Sequence, residues 1–366
     1  MKSKIRILHV ETGMNLYGGA LQVLYLLRGL KDIGGTENIL VAPSDSRIVS
    51  DSSDSARILD VLMKGDLDLG FPFRLAKIIR GEDPDIVHLH SRRGADVLGG
   101  MAARMTGKKC ILTRRVDNPE PSPWARLKYR LYDRIIAISD GITEVLAAEG
   151  VPREKLTMVR SAVDATSFDG PVQREWFREE FGLPENALFC GTIAQFIRRK
   201  GHSYLLSAIP EISGKFPDAR FLFFGRGPLE NSLKKTCRAL KIQDKVVFAG
   251  FRDDLERILP CLDLVIHPAL MEGLGVSLLQ SAAAGVPVVG TRAGGIPEAV
   301  TDGVSGLLVQ PGDTKALADA VLKILSNPRL AEKMGMEGKT LAAGRFSIEA
   351  MARGNLAVYR EIMGKD

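Results

Sequence analysis

The residues best suited to chemistry lie in one run, His267-Pro268-Ala269-Leu270-Met271-Glu272-Gly273-Leu274-Gly275-Val276, which continues through Gln280 and Gly285 to Val289. It reads as strand, glycine loop, helix, stop and strand. Gly273 and Gly275 permit positive φ and let backbone N–H groups come close to a ligand. A helix starting near Val276 turns the positive end of its dipole toward that loop, which makes an anion site suited to a pyrophosphate. Gly285 ends the helix and Pro287 follows. Glu272 stands beside this site, where an anion would repel it. A carboxylate makes sense there as acceptor for hydroxyls carried on the bound anion, as on a sugar. The plainer alternative is a glycine turn with a solvent-facing glutamate.

Charge supplies a second feature. The chain carries 50 Lys and Arg against 44 Asp and Glu, a net +6. Between Ser91 and Arg134, eleven basic residues, Arg92, Arg114 and Arg115 among them, oppose four acids and leave +7. Such a patch attracts phosphorylated ligands, anionic lipid headgroups or nucleic acid, or else it is a solvated helix face. Nucleic acid is the weakest of these, because no binding motif accompanies the charge and only 6% of the residues are aromatic.

Other motifs carry less. Gly225-x-Gly227 has Glu230 where a dinucleotide loop would place its third glycine, which disfavours a dehydrogenase. Asp83-Pro84-Asp85 spells a metal-binding triplet but leads into a strand, and a structural role is preferred. His88 and His90 share one face of that strand. Metal ligation is the lesser reading for them, and His90, at the strand's end, is placed near an acceptor. Cys110, Cys190, Cys237 and Cys261 are irregularly spaced, which disfavours zinc or a disulfide framework.

These residues need a scaffold. The 366 residues suffice for two domains, and 45% hydrophobic content excludes wholesale disorder. No apolar run approaches the ~18 residues of a membrane span. The start, Met1 to Val10, is basic and then apolar, but Arg6 and His9 interrupt it, so it reads as a buried strand of a cytoplasmic chain and not as a signal peptide. Strands are predicted near 5–10, 38–43, 85–90, 109–113, 134–139 and 156–160, then near 187–194, 219–225, 246–250, 262–268, 286–291 and 306–310, with helices between most of them. Runs such as Phe221-Leu222-Phe223-Phe224 suit parallel strands covered on both faces. The pattern predicts two doubly wound, Rossmann-like α/β domains, 1–168 and 169–346, with a helix over 347–366 packing back toward the first. The join falls near 164–186. Ligands of such sheets lie beyond the carboxyl ends of the strands, so a cleft between the two domains is the expected site.

The run around Glu272 resembles the signature of the retaining GT-B glycosyltransferases of group 1 (family 4), which has two glutamates eight positions apart. The resemblance covers nearly the whole chain. Gly18-Gly19 is similar to the family's Gly-Gly loop, and Asp85-Ile86-Val87-His88-Leu89-His90-Ser91 to its third N-terminal strand. Ala137-Ile138-Ser139 and Val163-Asp164 match markers late in the first domain. Lys200-Gly201 resembles the Lys-Gly pair, and Phe224-Gly225-Arg226-Gly227-Pro228 the Gly-x-Gly-Pro turn. Gly294-Gly295-Ile296-Pro297-Glu298, Gly306-Leu307-Leu308-Val309 and Pro311-Gly312-Asp313 complete the series. There are departures. Gln280 replaces the second glutamate, which forfeits charge assistance of roughly 1 kcal/mol per hydrogen bond. Gln195 stands where the family often has arginine, with Arg198 and Arg199 nearby. Thr113-Arg114-Arg115 replaces a frequent Thr-x-His.

The resemblance implies transfer of a sugar from a nucleotide-diphosphate donor with retention of configuration. Lys200 would face the distal phosphate, the amides of Leu274, Gly275 and Val276 the leaving charge, and Glu272 the sugar hydroxyls. Gly18, Gly19, Gly225, Gly273 and Gln280 would complete the donor site, with His90, Arg92, Arg114 and Arg115 on the acceptor side. No cofactor and no metal are implied. The implied acceptor is a cell-surface glycan such as lipopolysaccharide core or a polysaccharide precursor, free or lipid-linked, at the inner membrane face, where the basic segment would meet an anionic surface. Two other functions fit the architecture: a nucleotide-sugar 2-epimerase, and a non-catalytic sugar-nucleotide binder, the latter motivated by Gln280 and Gln195.

Overall fold

The computed structural model describes residues 4–16, 18–91 and 94–364; Arg92, an expected acceptor contact, lies outside them. The chain forms two compact units, Met1–Ala162 with Ile348–Asp366, and Val163–Ser347. The boundary falls at Ala162/Val163, ahead of the 168/169 boundary expected from sequence. Two contacts account for this: the Val163 amide donates to the Phe346 carbonyl at 2.8 Å, and Asp169 pairs with Lys339 at 2.7 Å, so the Ala165–Phe168 turn belongs to the second unit.

The first unit contains β1 (Ile5–Val10), β2 (Thr36–Ala42), β3 (Arg57–Asp60), β4 (Ile86–Leu89), β5 (Lys109–Arg114), β6 (Arg134–Ala137) and β7 (Leu156–Met158). They form one parallel sheet in the order β3-β2-β1-β4-β5-β6-β7. The order reverses between β1 and β4, where the loops leaving the two strands part and open a crevice. The last helix, Ile348–Ile362, packs on the first, Gly18–Ile33. Gly29 allows that approach, since a Cβ there would overlap the Ala352 side chain. Leu26, Leu30, Met351 and Leu356 share a core with Ile7, Ile86 and Ile111. Each such side chain contributes about 1.5–3 kcal/mol by leaving water.

The second unit contains β8 (Phe189–Ile193), β9 (Arg220–Phe224), β10 (Val246–Gly250), β11 (Leu264–His267), β12 (Val288–Thr291) and β13 (Gly306–Val309). Its parallel sheet runs β10-β9-β8-β11-β12-β13. The reversal here lies between β8 and β11. Three helices carry side-chain caps at their starts: Ser139 accepts from the Ile142 amide, Asp313 from Ala316, and Asn327 from Leu330 with Pro328 in the first turn. The helix Val276–Ala283 instead starts at Gly275, φ 87°, with no side-chain cap.

The sequence reading contains neither β3 nor the helix Pro328–Arg345. β3 is a short edge strand with both end residues exposed, so it lacks a buried apolar run. The helix is largely polar, with only Met334, Gly335, Gly338 and Ala342 buried. Asp83-Pro84-Asp85 serves strand entry: Asp85 accepts from the Arg6 amide at 2.8 Å and Asp83 pairs with Lys108 at 2.6 Å. All four cysteines are free and buried.

Candidate functional site

In the second unit, the loops leaving β8 and β11 meet at the sheet's reversal. The Leu270 and Met271 amides both donate to the Arg199 carbonyl, at 2.8 and 3.3 Å. This ties the Arg198–Lys200 turn to the segment before Glu272. Gly201 is required by the same approach: its φ is 71°, and a Cβ would collide with the Pro268 carbonyl oxygen. Gly295 is similarly pressed against Gly273, and its amide donates to the Glu272 carbonyl at 2.9 Å.

This backbone arrangement sets Lys200 against Glu272. Lys200 Nζ donates to Glu272 Oε2, and the side chains of both are only 12% exposed. His267, the last residue of β11, donates from Nε2 to the same oxygen at 2.8 Å. Burial alone would raise the Glu272 carboxyl, but the His267 bond and the Lys200 charge outweigh it and hold the group well below the ordinary carboxylate range. With Oε2 doubly engaged, no hydrogen bond among the described residues takes Oε1. That oxygen is free for a ligand hydroxyl. Beside it, the amides of Leu274 and Gly275 make no backbone hydrogen bond, which leaves the helix start open to an anion.

The structure distributes the remaining donor-side candidates unevenly. Gln280 stands one turn into the helix, half-buried. Gly225 is buried at the end of β9, φ 156°, where a Cβ would strike the Ala194 carbonyl; it shapes the loop leading to Lys200. Gln195 and Arg198 are exposed on that loop. His267 opens the run that the sequence singles out, but the sequence assigns it no role. Its signal is a histidine ending the strand five positions before the loop glutamate.

The first unit gathers polar groups at its own reversal. Gly18 and Gly19 open the first helix, after β1. Glu11, also after β1, accepts from Ser91 Oγ at 2.6 Å and from the Gly13 amide at 2.9 Å. His9 and His88 are register partners on β1 and β4. His9, His88 and His90 each bring a ring nitrogen within 4.8 Å of the other two, a set that could hold a metal ion. Hydrogen bonds already occupy most of these atoms. His88 contacts the Tyr359 hydroxyl through Nδ1 and the Thr113 hydroxyl through Nε2, each at 2.7 Å. Arg115 donates to His90 Nδ1 at 3.3 Å, so His90 Nε2–H must donate to His9 Nδ1 at 3.1 Å. Burial lowers all three imidazoles, His9 to about 4, so they are uncharged at neutral pH. A metal ion would have to displace these bonds beside a guanidinium.

His90 is thus a buried link behind Arg115, with both nitrogens taken, and does not itself face a ligand. Arg115 passes beside Gly19, its Cδ 3.9 Å from where a Cβ there would stand. Its Nε is buried without a partner, and among the described residues no carboxylate pairs with it. Burial draws its guanidinium down to about 10, still protonated. The Glu11 charge favours the protonated form but makes no ion pair with it, and a buried cation compensated only in part costs stability. Arg115→Gln is therefore expected to raise the melting temperature of the ligand-free chain by roughly 2–4 °C, read by calorimetry; a fall would mean the cation is compensated.

Arg114 points the other way. It is 1% exposed and donates to Glu120 at 2.7 Å and to the Asn118 carbonyl at 2.5 Å, so it is structural and not an acceptor contact. Much of the basic segment is spent likewise. Lys128 pairs with Asp96 and Glu120 at 2.6 and 3.0 Å, Lys109 with Asp133, and Arg134 with Glu361.

Two parallel sheets, each with polar groups converging where its strand order reverses, define a two-domain α/β protein of the GT-B fold. The chain belongs to the group 1 glycosyltransferases: residues 173–341 match the model "Glycosyl transferases group 1", and residues 17–167 match "Glycosyltransferase Family 4". It is a glycosyltransferase. Among its relatives, N-acetyl-alpha-D-glucosaminyl L-malate synthase of Bacillus anthracis is 24% identical over 308 residues, spanning 82% of this chain and 80% of that protein. The lipopolysaccharide core biosynthesis mannosyltransferase LpsB of Rhizobium meliloti is 28% identical over 284 residues, 75% of this chain and 79% of that protein. Anabaena HepE, solved with UDP and glucose, superposes with a TM-score of 0.84 at 18% identity, covering 98% of this chain and 100% of that one, a likeness of fold.

Proposed function

We propose that the protein moves a sugar from a nucleotide diphosphate to a cell-surface glycan precursor, such as lipopolysaccharide core or a lipid-linked polysaccharide unit, with retention of anomeric configuration. The observation that carries this reading is the convergence of Lys200 and His267 on one oxygen of Glu272, beside an uncapped helix start. Glu272 Oε1 would accept from a donor-sugar hydroxyl and fix the ring. Lys200 and the amides of Leu274, Gly275 and Val276 would take the charge that builds as the bond from the anomeric carbon to the phosphate oxygen breaks. The new bond to the acceptor oxygen forms on the same face, and the acceptor's proton passes to a phosphate oxygen. This chemistry asks for no metal, because fixed cations and a helix dipole supply the positive charge. Arg115, with its free guanidinium edge beside Gly19, would hold an anionic group of a substrate. HepE bound to UDP and the mannosyltransferase LpsB support a nucleotide-sugar donor and a glycan acceptor in general terms.

The test is a thermal-shift panel of UDP, GDP, ADP and CMP sugars, followed by NMR of the product's anomeric centre in EDTA. One donor class is expected to stabilise the fold, by about 2.7 kcal/mol at a hundredfold excess over its Kd. Donor conversion without any acceptor would point to epimerisation instead. An inverted product, or loss of turnover on chelation, would remove the mechanism.

A further inference from the structure

The carboxyl ends of β1, β4 and β5, neighbours in the first sheet, carry a carboxylate and a guanidinium that make no ion pair with each other. Glu11 extends β1 by one residue, its amide donating to the Val41 carbonyl at 3.1 Å, and it lies on the same side of the sheet as His9. Ser91 Oγ, just past β4, donates to Glu11 Oε1 at 2.6 Å and accepts from the Thr12 amide at 2.7 Å. The Gly13 amide donates to the same carboxylate oxygen at 2.9 Å. Oε2 is left with no hydrogen-bond partner among the described residues, although Glu11 is only 6% exposed. Arg115, just past β5, is fastened to the other half of the same dipeptide. Its Nη2 donates to His90 Nδ1 at 3.3 Å, while Nη1 and the buried Nε have no partner among the described residues. His90 and Ser91 thus hold a cation and an anion within each other's field, each with an edge unused.

The charges indicate what completes the site. His9, His88 and His90, behind Arg115, are uncharged at neutral pH because burial lowers each of them. Of the two charged groups, Arg115 contributes one positive charge and Glu11 one negative. A phosphate monoester brings close to two negative charges, which Glu11 would repel and a single guanidinium would have to hold. A sugar carboxylate brings one, in a planar pair of oxygens that fits a guanidinium fork. Glu11 then has a use, because a buried acceptor with no donor on the protein needs a hydroxyl from the ligand. A neutral sugar would leave Arg115 unpaired, and an acid without hydroxyls would leave Glu11 so. An acid group and hydroxyls on one ring satisfy both.

We propose that Glu11, Ser91 and Arg115 form a subsite for an acidic sugar, in which Arg115 pairs with the carboxylate of a uronic or ulosonic acid and Glu11 Oε2 accepts from a hydroxyl of the same ring. The subsite names the substrate class of the transfer proposed above and rests on that reading. Its test uses neither donor nor turnover, so either can fail alone.

The experiment titrates the full chain with small probes, followed by ligand-observed NMR. The methyl glycosides of glucuronic acid and of glucose differ only at C6, and the methyl ketoside of N-acetylneuraminic acid stands for the ulosonic acids. Glucose 6-phosphate supplies the higher charge, and dimethyl phosphate a single charge with no hydroxyl. One of the two acidic sugars is expected to bind at least about tenfold more tightly than the glucoside and both phosphates. Which of them does so separates uronic from ulosonic substrates. Arg115→Gln should bring the ratio of acidic sugar to glucoside to about one. Glu11→Gln keeps an acceptor for Ser91 and Gly13 but removes the charge. It should weaken the acidic sugar and strengthen glucose 6-phosphate, shifting their ratio by about tenfold; a merely structural role for Glu11 would move every probe alike. Equal binding of the glucoside, tighter binding of either phosphate, no binding of either acidic sugar, or an unchanged ratio in Glu11→Gln would overturn the proposal.

Discussion

Glu272→Ala and Lys200→Ala each lower turnover by at least tenfold while the chain stays folded, with full activity in either variant as the result that would sink the assignment. The expectation rests on shared geometry. Lys200 and His267 together fix Oε2 and so aim Oε1. Removing the carboxylate deletes the acceptor outright. Removing Lys200 leaves the carboxylate on one tether and strips positive charge from the place where negative charge develops on the leaving group, an effect of several kcal/mol in comparable sites. Glu272→Gln separates the two contributions: it keeps the shape but loses the charge and weakens both tethers. If orientation dominates, the loss appears in kcat more than in KM.

The pH dependence has a definite sign. The folded Glu272 carboxyl lies below its unfolded value, so its stabilising contribution is complete above an unfolded pKa of about 4.3. It is lost as pH falls below that value. Glu272 should therefore give no acid limb in turnover at any pH above the ordinary carboxylate range. An activity loss between pH 5 and 7 that disappears in Glu272→Gln would contradict the ionised, doubly tethered carboxylate. The expected acid loss is one of stability, read as a fall in melting temperature below about pH 4.

The second-unit site was legible because it is written locally. Strand, glycine loop and helix follow one another within a short run, and Gly275 without a side-chain cap marks an open helix start in sequence as well as in space. Lys200 lies 72 positions from Glu272, and only the resemblance to a family joined them. The role of His267 is hidden for a related reason: a histidine ending an apolar strand carries no sign of its partner. The first unit shows the limit more sharply. Counting charge between Ser91 and Arg134 treats every cation as equally available. Folding turns Arg114 inward toward Glu120 and Lys128 toward Asp96, and leaves Arg115, its chain neighbour, without an ion pair among the described residues. Which side of β5 a residue falls on decides this, and charge counts do not record it. His9 was read as an interruption of an apolar start, yet it pairs in register with His88 and closes the relay behind Arg115. The sheets were foreseen nearly whole because parallel strands need continuous apolar runs. β3, half-exposed at the edge, is free of that demand.

The inward turn of Arg114 and Lys128 predicts the largest stability effect. Arg114 and Lys128 are 1% and 3% exposed and share the Glu120 carboxylate, at 2.7 and 3.0 Å. Asp96 supplies the second anion, 2.6 Å from Lys128. Glu120→Ala leaves two buried cations with one paired carboxylate, Asp96, while Glu149 acts on them only through its field. Breaking a buried pair in this way costs about 3–5 kcal/mol, because the stranded charge keeps its desolvation penalty. For a domain of this size the melting temperature should fall by roughly 6–20 °C, read calorimetrically for the first unit. A change below about 2 °C would mean that water compensates the network and that it is not buried as described. Acid should imitate the substitution. Burial raises the Glu120 carboxyl, but the Lys128 and Arg114 charges and hydrogen bonds prevail and hold it below its usual value. Its contribution is therefore present above the unfolded pKa of about 4.3 and is lost as pH falls below it. Glu149, held above its usual value chiefly by burial, titrates in the opposite sense and offsets part of that loss. Adding Arg114→Met to Glu120→Ala removes the stranded guanidinium and should recover part of the stability. A double variant less stable than Glu120→Ala would show that Arg114 is held by its bond to the Asn118 carbonyl and its packing more than by its charge partner.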